Sequence, residues 1–310
     1  MDEQPSDIQV CEDCLAPAEA FSVVASETRL RILEALWNTP DRPVTFSELR
    51  RAVEMDDSAQ FNYHLGKLTG QFVKKVEAGY VFRYAGEKVV RAVLEGSFNQ
   101  DPELPPFEID GSCIDCGGGL EARYAEELMT IECGECRHRH GQYAFPPGGL
   151  NDRSRAEILD AFNQRVRHLH CLAADGVCPE CGGRMGSEIV REPRKLELDI
   201  GVVHRCSQCR HEIRSAVGLR LLDQSDVVSF YREQGIDLPA TPYWRLGWCV
   251  SNDFATVLSE DPWRIRLRMP VDGEELRMTV DGDLDVVSVE RRRETREAMD
   301  SPRSTAPDTA

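Results

Sequence analysis

Apolar residues recur at helical spacing through most of the first hundred positions. In AFSVVASETRLRILEALWN, Leu30, Ile32, Leu33 and Leu36 mark one or two helices ending near Asn38, where TPDRP breaks the pattern. TFSELRRAV opens with Thr45 and carries Glu48 three residues later, the spacing of a capping box, and predicts a short helix. Beyond the EMDDS turn, the segment SAQFNYHLGKLTG and its continuation place Phe61, Leu65, Leu68 and Phe72 on one stripe that must face a core. The period then shortens. Val73, Val76, Tyr80, Phe82 and Tyr84 are strand formers around Glu77-Ala78-Gly79 and predict a β-hairpin, after which EKVVRAVLEGSF predicts a helix. Helix, helix, turn, helix, hairpin, helix over residues 15–98 is the order of a winged helix-turn-helix.

NQDPELPPFEIDGS, residues 99–112, is acidic and rich in proline and reads as a linker. A repeat follows it. CIDCGGG and CGECRH begin at Cys113, CPECGGR and CSQCRH begin at Cys178, and an apolar-periodic helix follows each set, AEILDAFNQRV and DVVSFYREQG. These give two repeat segments, 113–175 and 176–240. From about Thr241 to residue 292 the pattern turns to strands: YWRLGWCVS, WRIRLRMP, EELRMTVDG and DLDVVSVERR, with Asp-Gly turns at Asp272-Gly273 and Asp281-Gly282. Residues 1–14 read as a flexible acidic terminus and 293–310 as a disordered tail. The expected fold class is α+β multidomain: an N-terminal winged helix-turn-helix, two zinc ribbons and a C-terminal antiparallel β-rich domain.

The cysteines carry the sharpest chemical signal. Cys113, Cys116, Cys133 and Cys136 form one set of paired CxxC knuckles, and Cys178, Cys181, Cys206 and Cys209 form the other. Two residues between cysteines bring both thiolates to one ion through a tight turn. Gly117 and Gly182 then supply a positive φ that lets backbone N–H groups point at sulfur. Four thiolates close the shell of a tetrahedral structural zinc, so two Zn²⁺ ions per chain are expected, and segments this short and polar would draw most of their folding energy from them. Redox CxxC chemistry and an iron–sulfur centre are the weighed alternatives, and a catalytic zinc is disfavoured because no coordination position stays open. His138, His140, His204 and His211 are expected at the surface or behind the ligands. Cys11 and Cys14 form a third CxxC. With Cys171, which follows His168 and His170 in RHLHC, they make either a sensory metal or thiol site or, more simply, a terminal segment and a buried thiol; Cys249 reads as a buried thiol. Trp244, Trp248 and Trp263 read as core of the C-terminal sheet before they read as an aromatic ligand pocket.

Charge changes the picture in one place. The chain carries 37 Lys+Arg and 54 Asp+Glu for a net charge of −17, with only 5 Lys among the bases, a balance that suits a salt-adapted cytoplasm. Residues 21–98 hold 11 bases and 10 acids, while 99–310 hold 26 bases and 38 acids. A polyanion is tolerated on the first segment and repelled elsewhere. No stretch approaches the ~18 apolar residues of a membrane span, and the acidic N-terminus does not look like a signal peptide; a cytoplasmic protein with no membrane partner is expected.

On the third helix Tyr63 lies opposite the apolar stripe, with Gly66 and Lys67 on its face and Gln60 and Asn62 beside it. Gln and Asn can pair with an adenine edge, Lys reaches guanine or phosphate, and Tyr packs on a sugar. Arg50 and Arg51 on the preceding helix and Lys74, Lys75 and Arg83 on the hairpin could touch phosphates. An ordinary solvated face is the plain alternative, and His64 reads as a packed boundary residue.

ASETRLRILEAL, FSELRRAV and SAQFNYHLGKL together resemble the ArsR-type winged helix-turn-helix repressors. Glu27 to Leu33 stands where that family has DPTRLRIL, and His64, Leu65 and Leu68 stand where it has S-x-x-x-HL-x-x-L. The likeness covers residues 15–98. With its two ribbons and strand domain, the layout looks like that of ArsR-like regulators of halophilic archaea. The resemblance implies a homodimer built on the first and last helices of the domain and bound to a palindromic operator. Metal-sensing members carry CxC on the helix before the recognition helix; SELRRAVEM has no cysteine, so that mode of sensing does not transfer.

The reading is a sequence-specific regulator that binds double-stranded DNA. In concentrated salt such binding cannot lean on counterion release and must use base contacts and shape. No catalytic constellation stands out: G-x-S-x-G, P-loop and H-E-x-x-H motifs are all lacking. The rival reading is a scaffold whose ribbons dock on the transcription machinery.

Overall fold

The computed structural model describes residues 15–191 and 198–293. The expected termini, with Cys11 and Cys14, lie outside the described residues, apart from Arg293. The chain divides into two compact units that meet in sequence at Gln100 and Asp101.

The first unit holds α1 (Pro17–Val24), α2 (Glu27–Asn38), α3 (Phe46–Ala52), α4 (Ser58–Leu68), a hairpin of β1 (Val73–Val76) and β2 (Gly79–Phe82), and α5 (Tyr84–Glu95). The capping box on α3 is formed: Thr45 N–H donates to Glu48 Oε2 at 2.8 Å and Glu48 N–H donates to Thr45 Oγ1 at 3.3 Å. Asp57 caps α4 by accepting from the N–H groups of Ala59 and Gln60 at 2.8 and 3.0 Å. Ile32, Leu33 and Leu36 of α2 meet Leu49 of α3 and Phe61, Leu65 and Leu68 of α4 in one buried cluster. Tyr84, read as a strand former, is instead the first residue of α5.

Among the described residues the second unit holds three antiparallel sheets. One is β3 (Leu104–Ser112), β4 (Gly119–Ala125), β5 (Leu128–Cys133) and β6 (Arg139–Ala144), in that order, followed by α6 (Arg155–Ala174). The next is β7 (Met185–Arg191), β8 (Ile200–Cys206) and β9 (Glu212–Ser215), followed by α7 (Ser225–Glu233) and the short α8 (Gly247–Val250). The last is β10 (Ala255–Glu260), β11 (Trp263–Val271), β12 (Glu274–Asp281) and β13 (Val286–Arg293). Asp272 and Gly273 both have positive φ, as a two-residue hairpin turn demands. At the next turn the Asp281 carboxylate accepts from the N–H groups of Asp283 and Asp285. No helix among the described residues is long and apolar enough to cross a membrane.

Two expectations are corrected. Residues 104–112, read as linker, form the edge strand β3, where Phe107 and Ile109 face the core. Pro105 and Pro106 are tolerated because they fall at a register shift between Leu104 and Phe107 on an edge strand, where the ladder is interrupted. YWRLGWCVS, read as a strand, is a 3-10 turn (Tyr243–Arg245) and α8. Tyr243, Trp244, Leu246, Trp248, Cys249 and Val250 are all buried and only Arg245 is exposed, so the run lacks the in-and-out alternation of a half-buried strand. The segments 113–175, 176–240 and 241–292 contribute to one continuous core, running from Phe107 through Phe162, Val202, Phe230 and Trp244 to Leu284. Trp244 and Trp248 belong to it.

Candidate metal centres and an exposed helical face

Cys113 follows β3 and Cys116 precedes β4; Cys133 ends β5 and Cys136 precedes β6. The second set repeats this, with Cys178 and Cys181 before β7, Cys206 ending β8 and Cys209 before β9. In each set the four sulfurs lie within 4.8 Å of one another. Cys113 Sγ is 3.6 Å from Cys136 Sγ, and Cys116 Sγ is 3.5 Å from Cys133 Sγ. The corresponding distances in the second set are both 3.6 Å. Each set could hold one metal ion, and four soft thiolates suit a tetrahedral thiophilic metal.

The local backbone explains the convergence. Cys113 N–H donates to Gly118 O and Gly117 N–H returns to Cys113 O, at 2.8 and 3.0 Å. Cys178, Gly182 and Gly183 repeat the loop with 2.8 and 2.9 Å. Gly117 and Gly182 have φ of 77° and 72°, as their place after the second cysteine requires. The same position in the partner knuckles is held by Arg137 and Arg210, at φ 66° and 63°. Non-glycine residues in that region are uncommon, and the CxxCRH spelling conceals them. Backbone N–H groups aim at sulfur throughout: Gly118 at Cys116, Glu135 and Cys136 at Cys133, Gly183 at Cys181, and Gln208 and Cys209 at Cys206, all at 3.4–3.5 Å. The Cys136 N–H holds the Cys133 thiol down at about 7, and the Cys209 N–H holds Cys206 at about 6. Both therefore lean toward the thiolate, the form that ligates a metal.

Of the two places expected for the histidines, His140 and His204 take the inner one. His140 and His204 are buried, not superficial, because both point into the sheet–helix core. His140 Nδ1 lies 3.2 Å from Trp244 O, and His204 Nδ1 lies 2.7 Å from Ser187 Oγ. His170 is buried against His204 and lies 3.1 Å from Tyr143 Oη. Tyr143, His170 and Ser187 form a polar layer behind the second cluster that the spacing of cysteines did not announce. The RHLHC grouping does not bring its two histidines together. His168 is exposed while His170 is buried, since residues two apart on a helix point in nearly opposite directions. Among the described residues the two tetracysteine sets are the only groups placed to share an ion.

In the first unit, Phe61, Leu65 and Leu68 are buried, and Gln60, Asn62, Tyr63, Gly66 and Lys67 are exposed on the rest of α4. Lys67 Nζ stands 5.6 Å from the centre of the Tyr63 ring. Half-buried His64 meets the Tyr63 ring edge-on. A side chain built at Gly66 would meet no atom within 4 Å. Arg51, Lys74, Lys75 and Arg83 are exposed and Arg50 is half-buried. Lys74 and Lys75 are adjacent in β1 and so project to opposite faces of the hairpin. The Arg83 guanidinium donates to Gly70 O, which ties the end of the hairpin to the turn after α4.

Residues 110–286 match the family model described as Domain of unknown function (DUF7351), and residues 17–93 match that described as Domain of unknown function (DUF7347). No curated protein and no solved structure matches the chain.

Proposed function

We propose that this chain, which belongs to the DUF7351 family, is a sequence-specific DNA-binding transcription regulator of the ArsR-like type, carrying two structural zinc ions. One observation carries the reading. The polar row Gln60, Asn62, Tyr63 and Lys67 stands free on α4, opposite a stripe that is wholly buried. The order α2, α3, α4, hairpin, α5 is that of a winged helix-turn-helix, in which the helix after the turn enters a major groove. Gln60 and Asn62 would read base edges, Gly66 would permit close approach, and Arg51, Lys74 or Lys75, and Arg83 would hold phosphates. Near-neutral charge over residues 21–98, in a chain of −17, supports this surface as the one that meets a polyanion. Exposed Phe21 on α1, Leu94 on α5 and Phe98 just beyond it support a homodimer on a palindromic site.

Zinc is the metal that the ligand sets favour. A tetrahedral ion with Zn–S bonds of ~2.3 Å sets its sulfurs ~3.8 Å apart, close to the 3.5–3.6 Å pairs observed. The same exposed apolar residues support a second reading, a scaffold that docks on protein of the transcription machinery. One experiment separates the two. Genomic fragments are selected on the purified full chain at high salt, with metal quantified in the same sample. Two zinc ions per chain are expected, and Tyr63→Ala with Lys67→Ala should weaken binding to the selected duplex by at least about tenfold with helical content unchanged. Undiminished binding, or no preference among duplexes, refutes the DNA reading.

A further inference from the structure

The outer strands of the two tetracysteine sheets, β6 and β9, wall a cleft of about 310 Å³. That is the size of a small-molecule site. Leu169 of α6, Ile213 of β9 and Val250 of α8 give it an apolar surface, and Arg139, His211 and Ser215 line it as well. Three polar atoms of these residues are buried without a hydrogen-bond partner among the described residues: Arg139 Nε, His211 Nε2 and Ser215 Oγ. Ser215 is only 2% exposed and shares the inward face of β9 with Ile213. An unsatisfied buried hydroxyl carries a desolvation penalty that a ligand atom would relieve.

Charge narrows the class of ligand. Arg123, Arg137, Arg205 and Arg214 each pair with a glutamate. Arg139 has no carboxylate partner among the described residues, and its one side-chain contact is Gln142 Oε1 at 3.5 Å. Its guanidinium keeps its charge at any working pH. Glu212 also lines the cleft, but Arg205 and Arg214 already hold its carboxylate. An unpaired guanidinium matches a carboxylate, and the apolar surface asks for a hydrocarbon body.

We propose that this cleft binds a small organic carboxylate, its charge on Arg139, a further polar contact from Ser215 Oγ, and its body against Leu169, Ile213 and Val250. The site stands independently of the DNA reading, and its test uses no DNA. Methyl-labelled, metal-loaded full chain is titrated with benzoate and with hexanoate, and with benzyl alcohol as the uncharged counterpart. Saturable shifts of the Leu169, Ile213 and Val250 methyl signals are expected with the carboxylates, and binding of benzyl alcohol should be about tenfold weaker. Arg139→Gln should weaken benzoate by a similar factor. Ser215→Ala, which removes only the hydroxyl, should also weaken benzoate and serves if the first variant does not fold. Absence of saturable shifts with both carboxylates overturns the proposal. So does equal binding of benzoate and benzyl alcohol, or unaltered benzoate affinity in the folded variants.

Discussion

His170 shows what burial does to a single side chain. It lies on the inward face of α6, against Tyr143 and His204, and removal from water pushes its pKa down to about 3, with His204 acting in the same direction. The unfolded ring titrates near ~6.5. Between those values the unfolded chain binds a proton that the folded chain refuses. Stability from this residue is therefore complete above about pH 6.5 and is lost as the pH falls toward 3, on the order of 1 kcal/mol per pH unit. Denaturant melts at successive pH values from 7 to 5 should show that decline, and His170→Gln should flatten it. Acid also weakens thiolate ligation, but it does so in both proteins, so an identical slope in the variant would exclude this role for His170. The alternation within RHLHC was there to be read. Which of its two histidines faces inward depends on where the α6 stripe of Ile158, Phe162 and Val166 meets the sheet.

The two cysteine sets share one knuckle geometry but not one setting. Both sheets feed the large core, but Cys113 and Cys133 lie in it themselves, beside Leu120, Ala122, Tyr124, Met129 and Ile131 of β4 and β5. Cys178 and Cys206 instead sit in a small cluster with Leu169, Ala173, Met185 and Ile213. The expectation that metal supplies most of the folding energy therefore applies more to the second set than to the first. Chelation should raise hydrogen exchange about the Cys178–Cys181 and Cys206–Cys209 turns well above that about Cys113–Cys116. Equal loss at both would contradict this difference. Knuckle spacing and the Gly117 and Gly182 turns were legible because CxxCG specifies them locally. β3 was not, since prolines obscure the apolar face that Phe107 and Ile109 present. α8 was not, since a run buried on every side has no period to read.

Across the whole molecule the division at residue 100 separates two cores, each closed by its own residues. Residues 15–100 expressed alone should therefore keep the helical signal and melt cooperatively, checked by circular dichroism; a disordered fragment would show that this core needs the rest of the chain. Local spacing by itself determined the helices and hairpin of the first unit, the cap at Thr45, the buried stripe of α4 and the two cysteine sets, because each is specified within about a dozen residues by helical period or by a tight turn. Only the tertiary structure decided that the two repeats and the last sheet share one core, that His140, His170 and His204 lie inside it, and that β6 and β9 leave a cleft between them. Those outcomes come from contacts between residues far apart in the chain, where side-chain volume and partner geometry, not periodicity, choose which surfaces meet.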